Sequence, residues 1–394
     1  MPTESAFLFA GLLFVAAALG YVFARLGQLD EADRGPIGLD YVRGLKFLLK
    51  EQPDRALEEL TGPAELDEDT LETHFALGQL FRKRGEMERA IRVHRDLIDR
   101  PNLKRDAREQ AQFELAQDYM SAGLFDRAEA LLGELRDSSR RGLAALHCLI
   151  RLSELTREWE RAIELRRDLE KRDRASGRSG TIAHYFCELA DQARRTGDPH
   201  RATAWLDRAG ENRNESARIM LIRAGLASDA GDERAAVSWY KRVAEREPSL
   251  LVEVLPRLAA SCRAGGCPEE LSEFLVETIR NNPASSRAIA HATMLDPDIN
   301  DALAVRCLWD FVAADPMLSA LIDVERLRSV PAADRAPVLL RVRDALRATA
   351  GAGRSYRCVE CGYTSSSMQW QCPGCGAWDT VRPRIRLAFE SGDR

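Results

Sequence analysis

The sequence lacks the short motifs that mark the commonest catalytic centres. It contains no G-x-x-x-x-G-K-[ST] phosphate loop, no H-E-x-x-H zinc helix and no G-x-S-x-G nucleophile turn. Its six histidines are dispersed. His184 and Cys187 share one helix face, but the sequence offers no third or fourth ligand beside them, so packing within a helix is the better interpretation.

The chain also lacks an excess of positive charge. It has 57 Lys and Arg against 62 Asp and Glu, a net charge of −5. General nucleic-acid binders carry a strongly basic balance, so this class is excluded and no nucleic acid is expected as a partner. The nine cysteines are an odd number without the spacing of a disulfide framework, which indicates a reducing compartment.

Four of those cysteines form a regular pattern near the C-terminus. Cys358 and Cys361 make one C-x-x-C-G knuckle, and Cys372 and Cys375 make a second knuckle, C-P-x-C-G, ten residues later. Two knuckles supply four thiolates, which complete a tetrahedral site for one metal ion. Thiolates accept both zinc and iron, and a closed site is structural or, with iron, redox-active. We therefore predict a metal-binding module over residues 356–383, followed by a tail over 384–394.

The N-terminus holds the one long apolar run. Residues 6–24 contain no charged side chain, and a helix of 19 residues is about one hydrocarbon thickness long. A cleaved signal peptide would need a basic segment before the run, but residues 1–5 carry only the acidic Glu4. Because the first basic residue, Arg25, follows the run, we predict a retained single transmembrane helix with its N-terminus outside and its body in the cytoplasm.

Small residues recur at regular intervals through the middle of the chain. Most are spaced by 34 residues, and two intervals are longer by four and by six residues. A spacing of 34 residues is the period of tetratricopeptide helix–turn–helix repeats. Gly85, Gly123 and Gly231 are expected to end first helices in left-handed conformation. The positions in second helices are Ala56, Ala90, Ala128, Ala162, Ala202 and Ala236. Twelve residues before each lie Gly44, Gly78, Ala116, Ile150, Ala190 and Ala224, and the 34-residue step continues to Leu258 and Ala292, with Ala304 twelve residues later.

This period sets the expected domain organisation. A linker over residues 25–37 leads into about eight repeats over residues 38–316. Capping helices over 317–350 and a hinge over 351–355 then lead to the metal module. Stacked repeats form an extended concave groove, which such proteins use to bind their partners.

The groove-facing positions of the first helices carry side chains of both signs. Mixed charge suits a polar protein partner, although a merely solvated face is the alternative for each residue. The candidate partner-binding residues are Gln79, Arg82, Gln117, Arg151, Glu154, Asp191 and Arg194. A cochaperone clamp for a C-terminal carboxylate is disfavoured, because its Asn and Lys positions hold Tyr41, Phe75, Phe113 and His147.

The combination of anchor, repeats and terminal double knuckle resembles the lipopolysaccharide assembly protein B family of Gram-negative bacteria. The strings that carry the resemblance include DYVRGLKFLL at Asp40–Leu49, DYMSAGLFDRAE at Asp118–Glu129 and the knuckle segment that ends in WDTVRP at Trp378–Pro383. The resemblance implies an all-α fold: a right-handed tetratricopeptide superhelix with an N-terminal transmembrane helix. It also implies a small rubredoxin-like or zinc-ribbon module packed on the repeats.

The resemblance also implies a function. The chain is expected to be a non-enzymatic adaptor in the cell inner membrane. It would promote degradation of the deacetylase that commits cells to lipid A synthesis, by a membrane-anchored AAA+ protease. Other inner-membrane lipopolysaccharide assembly factors are expected partners. A rubredoxin-like redox carrier and a general tetratricopeptide scaffold or cochaperone are the alternatives.

Overall fold

A computed structural model describes residues 68–173, 180–212, 216–296, 298–314 and 355–384, with isolated helical positions between 319 and 344. The predicted transmembrane helix, linker and first repeat lie outside these residues, as do nearly all of the predicted capping helices and hinge. Within the described ranges, no helix combines the length and apolar character that crossing a bilayer requires.

The described part of the chain up to Ala314 is built from successive α-helices that pair two by two. The turns within the pairs are two or three residues long in most cases. The helices are α1 (Glu68–Lys83), α2 (Met87–Ile98), α3 (Arg105–Ser121), α4 (Phe125–Leu135), α5 (Gly142–Thr156), α6 (Trp159–Arg172), α7 (Thr181–Arg195), α8 (Pro199–Asn212), α9 (Ala217–Asp229), α10 (Glu233–Arg246), α11 (Leu251–Ala264), α12 (Pro268–Asn281), α13 (Ser285–Leu295) and α14 (Ala302–Ala314).

The recurrent small residues lie where paired helices approach each other. Ala90, Ala128, Ala162, Ala202 and Ala236 are all fully buried, as the repeat alignment predicts. The partner positions in the first helices are buried as well. At Gly78 a Cβ atom would lie 2.4 Å from the imidazole of His94, so only glycine fits that crossing. The fold is therefore mostly helical and tetratricopeptide-like.

The turns inside the pairs follow one pattern. Gly85, Gly123 and Gly231 adopt φ values of 80°, 73° and 79°, which confirms the predicted left-handed ends of the first helices. In the first of these turns, the N–H of Gly85 donates to the carbonyl of Arg82 at 3.0 Å. Arg157 takes the same place between α5 and α6 with φ 60°, although it has a Cβ atom that disfavours this conformation.

The chain divides into two compact units between Leu152 and Ser153, inside α5. In the first unit, Leu77, Phe81, Ala90 and Val93 form an apolar cluster between α1 and α2. In the second unit, the largest buried cluster runs from Met220 in α9 to Cys307 in α14. Each unit thus has a core of its own.

The C-terminal part of the second unit changes from helix to sheet. β1 (Ser355–Cys358) lies between β2 (Thr364–Ser365) and β3 (Val381–Arg384), and both neighbours run antiparallel to it. Tyr356, Cys358, Cys372 and Val381 form the small buried centre of this module, with Met368 packed against it. The ten residues between the knuckles therefore supply only β2, and the other two strands of the sheet come from before and after them.

Candidate metal centre and its contact with the repeats

The four predicted ligands converge at one end of the sheet. All four sulfur atoms lie within 4.8 Å of one another. The Sγ atoms of Cys358 and Cys375 are 3.8 Å apart, and those of Cys361 and Cys372 are 3.6 Å apart. A tetrahedral ion with metal–sulfur bonds of about 2.3 Å places its sulfur atoms about 3.8 Å apart. The four thiols thus fit a closed tetrathiolate site.

Matched turns bring each pair of sulfurs together. In the first knuckle the N–H of Gly362 donates to the carbonyl of Cys358 at 3.0 Å, and in the second the N–H of Gly376 donates to Cys372 at 2.8 Å. Both glycines have positive φ, 77° and 74°, which a side chain would strain. The sequence pattern C-x-x-C-G therefore encodes the turn as well as the ligands.

The surroundings of the sulfurs favour thiolate at one ligand in particular. The hydroxyl of Thr380 lies 3.3 Å from the sulfur of Cys358. This contact, helped by the backbone N–H of Cys361, lowers the pKa of Cys358 to about 6. Cys358 and Cys372 are buried, whereas Cys361 and Cys375 are exposed, so one edge of the site faces solvent.

The other cysteines are unlike these four. Cys187 is fully buried in α7, and burial raises the pKa of its thiol to about 12. Among the described residues, only the four knuckle cysteines form a group able to hold a metal ion. His184 and Cys187 therefore do not form a second metal site, in agreement with the interpretation as packing residues.

The second knuckle is attached to the repeats through Glu154, at the end of α5. One carboxylate oxygen of Glu154 accepts from the indole N–H of Trp378 at 3.0 Å, and the other accepts from the amide of Gln371 at 3.0 Å. Tyr185 of α7 donates to the same carboxylate at 2.6 Å. Burial, with the neighbouring carboxylate, raises the pKa of Tyr185, so the phenol remains a donor.

Trp378 also lies in an aromatic cluster of the repeats. Its ring stacks on His184 with centroids 5.2 Å apart, and it meets Trp159 and Tyr185 edge to face at 6.0 and 5.7 Å. These offset and edge-on arrangements are the favourable ones for aromatic rings. We call Trp378, His184, Trp159 and Tyr185 the aromatic contact.

The first strand makes a separate contact with α11. Tyr356 is 1% exposed, and its hydroxyl donates to Glu253, which is itself buried. The half-buried Glu154 and the buried Glu253 thus anchor two different segments of the module by their carboxylates. Together with the aromatic contact, they hold the metal module against the first helices of the second unit.

Comparison with known proteins identifies the family of this chain. Residues 356–383 match the family described as the rubredoxin metal binding domain. Lipopolysaccharide assembly protein B of Escherichia coli strain K12 is 32% identical over 379 residues, covering 94% of this chain and 96% of that protein. The chain belongs to the lipopolysaccharide assembly protein B family. The Haemophilus influenzae protein of the same name is 29% identical over 400 residues, with the same two coverages.

Solved structures resemble the chain more distantly than its family members do. The C-terminal part of a TPR repeat-containing protein from Cytophaga hutchinsonii is 14% identical, covers 64% of this chain and 98% of that one, and has a TM-score of 0.36. The assignment to the lipopolysaccharide assembly protein B family therefore rests on the sequence relatives and on the metal module.

The candidate partner-binding residues of the first unit bond mainly to neighbouring first helices. Gln79 donates to Glu114 at 2.9 Å, and Arg82 pairs with Glu114 at 2.6 Å and with Asp118 at 2.7 Å. Gln117 and Arg151 are half-buried. The sequence marked these residues by position on the helix face, and their use in binding a partner stays a prediction.

In the second unit the candidates divide by what they contact. Arg194 forms two hydrogen bonds to Asp229, at 2.5 and 3.0 Å, and Asp191 lies 3.5 Å from Arg218. Both carboxylate oxygens of Glu154 are bound by the metal module. The partners of Glu154 in the structure thus lie more than 200 residues away in the same chain, and the use of Glu154 in binding another protein stays a prediction.

Residues outside the cysteine ligands and the predicted groove positions complete the contact. Trp378, Gln371, Tyr356 and Glu253 each join the module to the repeats. One signal was available: three aromatic residues, Tyr356, Trp370 and Trp378, flank the knuckles in a module too small to bury them alone.

Proposed function

We propose that the chain is a non-enzymatic adaptor of the inner membrane that controls lipopolysaccharide synthesis. In this proposal it presents the deacetylase that commits cells to lipid A synthesis to a membrane-anchored AAA+ protease. Membership of the lipopolysaccharide assembly protein B family supports the role in lipopolysaccharide assembly. The protease and the deacetylase are expectations that follow from the family resemblance, and the experiments below test them.

One observation carries the adaptor proposal: the metal module is fixed to the first helices of the repeats by Glu154, Glu253 and the aromatic contact. Tetratricopeptide helices bind partners through this helix face. With the module in place, part of the face is covered and a composite surface of helix and knuckle is formed. Such a surface is suited to holding one protein while another approaches, which is what an adaptor requires.

The predicted anchor over residues 6–24 gives this surface its location. A membrane tether confines the chain to a layer near a membrane-bound protease and raises the effective concentration of one for the other. We therefore expect a chain that starts at residue 25 to fold but to lose its effect on the deacetylase.

The test is the lifetime of the deacetylase in cells that lack the native gene. Wild type, Trp378→Ala and a chain without residues 1–24 are expressed at equal levels, and the deacetylase is followed after translation is stopped. We expect rapid decay with wild type and a markedly longer lifetime with either variant. Trp239→Ala is the matched control, since it removes an indole from α10, where Trp239 packs under Arg223 and Arg242.

Affinity capture from detergent-solubilised membranes identifies the partners directly. Wild type is expected to retain both the protease and the deacetylase, and Trp378→Ala to retain less of at least one. If the deacetylase decays at the same rate with and without the chain, the adaptor proposal is wrong.

A rubredoxin-like redox carrier is the second candidate, because Cys361 and Cys375 are exposed and leave one edge of the metal site open to solvent. Electron transfer needs iron at this site. Protein purified from its native host should then show the visible absorption of iron–thiolate bonds and bleach on reduction. A colourless protein with one zinc ion per chain would contradict this candidate and leave the metal with a structural role.

A further inference from the structure

A cavity of about 480 Å³ lies at the junction of the metal module and the repeats. Its walls come from α7, from the start of α9, from the end of α10 and from the segments around Trp370 and Asp379. This volume lies within the range of about 300–1,000 Å³ that small-molecule sites occupy. The cavity is separate from the four sulfurs, and neither the metal nor the repeat contacts described above account for it.

The cavity is lined by the buried cation Arg218. This residue is 1% exposed, and its terminal nitrogens bond to Glu188 at 2.6 Å and to the carbonyl of His184 at 3.3 Å, with Asp191 also 3.5 Å away. Its Nε donor is also buried, but it has no hydrogen-bond partner among the described residues. A buried donor without an acceptor costs about 1–3 kcal/mol, so this position favours an acceptor from a ligand.

A second cation and a helix end line the same cavity. Arg246, the last residue of α10, is exposed and has no ion-pair partner within the described part of the chain. Ala217 and Arg218 form the first turn of α9, a helix of 13 residues capped by Ser216. The first N–H groups of a helix have no acceptor within it and carry the positive end of the helix dipole.

The acidic residues of the lining have partners of their own. Asp379 pairs with Arg382 at 3.2 Å, and Glu247 accepts from the hydroxyl of Ser249 at 2.7 Å. The face of Trp370 lies 5.5 Å from the guanidinium of Arg218. The groups of this lining that are left to bind a ligand are therefore the Nε of Arg218, the guanidinium of Arg246 and the first N–H groups of α9.

We propose that this junction cavity binds a phosphate monoester. Guanidinium groups and helix N-termini are the usual phosphate-binding elements of proteins, and here they come from two helices into one cavity. The volume exceeds that of a free phosphate ion, so it leaves room for the esterified group beside Trp370. Since the cavity joins the module to the repeats, the ligand stabilises the attached position of the module. This inference does not depend on the adaptor role.

Calorimetric titration of the full chain in a nonionic detergent tests the site, with glycerol 3-phosphate as the probe and glycerol as its uncharged control. We expect saturable binding of glycerol 3-phosphate alone. Arg246→Glu should weaken it about tenfold or more, because a charge-assisted contact becomes a repulsion. Arg246→Lys should restore much of the affinity.

The matched control is Arg234→Glu, the same charge change on an exposed residue of the first turn of α10. It should bind glycerol 3-phosphate as wild type does. Absence of binding to wild type overturns the proposal, as does equal weakening by Arg234→Glu and Arg246→Glu. Because Arg246 is exposed, both variants are expected to fold, which the melting of the helices by circular dichroism checks.

The phosphate could belong to a soluble metabolite or to a lipid, and lysophosphatidic acid separates the two sources. It carries the same glycerol phosphate with one acyl chain. Tighter binding than glycerol 3-phosphate, weakened by Arg246→Glu, assigns the site to a lipid headgroup, and equal binding assigns it to a soluble ester. Lysophosphatidic acid binding that Arg246→Glu leaves unchanged would be partition into the micelle and would count against the site.

Discussion

Arg82 in the first unit and Glu154 in the second occupy the same position of the repeat, four residues after the helix-crossing positions Gly78 and Ile150. Both reach the first helix of the following repeat: Arg82 pairs with Asp118, and Glu154 accepts from Tyr185. The difference is that Glu154 also accepts from Gln371 and Trp378 of the metal module.

This difference shows how one repeat scaffold provides two kinds of surface. In the first unit the charged residues at these positions satisfy one another, with Asp118 also 2.5 Å from His94. At Glu154, by contrast, the carboxylate at this position accepts from Gln371 and Trp378 of the module as well as from Tyr185. The same position of the repeat thus serves as an internal link in one place and as part of a docking contact in another.

The largest effect is expected when one of the four metal-binding cysteines is replaced. Cys358→Ser should abolish stoichiometric metal binding and unfold residues 356–383, because the metal substitutes for a core in a module this small. The end of α5 from Ser153 and the helix α7 should then lose protection from hydrogen exchange, while α1 to α4 keep theirs. Metal analysis and hydrogen-exchange mass spectrometry measure the two effects.

Cys267→Ser is the control for that experiment, since Cys267 is a half-buried thiol outside the metal site. It should retain one metal ion per chain. A Cys358→Ser protein that kept its metal and its module would show that the four sulfurs are not the ligand set.

A smaller change keeps the metal and removes the contact. Trp378→Ala deletes a large side chain from the aromatic contact and leaves Glu154 with one donor fewer, at a cost of about 3–5 kcal/mol to docking. The module should retain its ion but become sensitive to proteases at its junction with the repeats. Limited proteolysis followed by mass spectrometry detects this, and unchanged cleavage would mean that the aromatic contact contributes little.

The linking position itself can be compared directly in two repeats. Arg82→Ala leaves the fully buried Asp118 without its guanidinium partner and should destabilise the first unit by about 3 kcal/mol. Arg194→Ala, four residues after Ala190, breaks a pair whose side chains are 35% and 54% exposed and should cost at most about 1 kcal/mol. Denaturant unfolding of both variants measures the difference, and equal losses would refute the role given to burial.

The smallest effect concerns the turn between α5 and α6, next to Glu154. Arg157 has φ 60° where other repeats have glycine, so Arg157→Gly should stabilise the chain by about 1 kcal/mol. Gly123→Ala, at φ 73°, is the reciprocal change and should destabilise it by a similar amount. Thermal unfolding checks both signs, and a lower melting temperature for Arg157→Gly would show that the arginine side chain contributes more than the strain costs.

Local sequence rules predicted much of this fold and of the metal site. Buried alanines such as Ala128 and Ala236 follow from the 34-residue period, and the ligands follow from the spacing of two knuckles. These features depend on neighbours a few residues away or on the next repeat. They can therefore be read from a pattern without knowledge of the tertiary structure.

The contact between module and repeats could not be predicted in the same way. Glu154 and Trp378 are far apart in sequence, and nothing in the local pattern of either residue specifies the other. Arg157 was missed for a different reason: the pattern of glycine at the helix end has an exception, which tertiary packing tolerates at an energetic cost. The predicted transmembrane helix lies outside the described residues and stays a prediction.

Gln371 and Trp378 form an isolated β-bridge across the second knuckle, and both side chains bind the same carboxylate. The ion that organises this knuckle therefore also sets the spacing of the two donors. By reciprocity, docking must strengthen metal binding by the same factor that metal binding strengthens docking. The intact chain should then hold its ion more tightly than the isolated module does. In a cell short of metal, damage to the second unit would therefore weaken metal binding, and the module would release its ion and unfold.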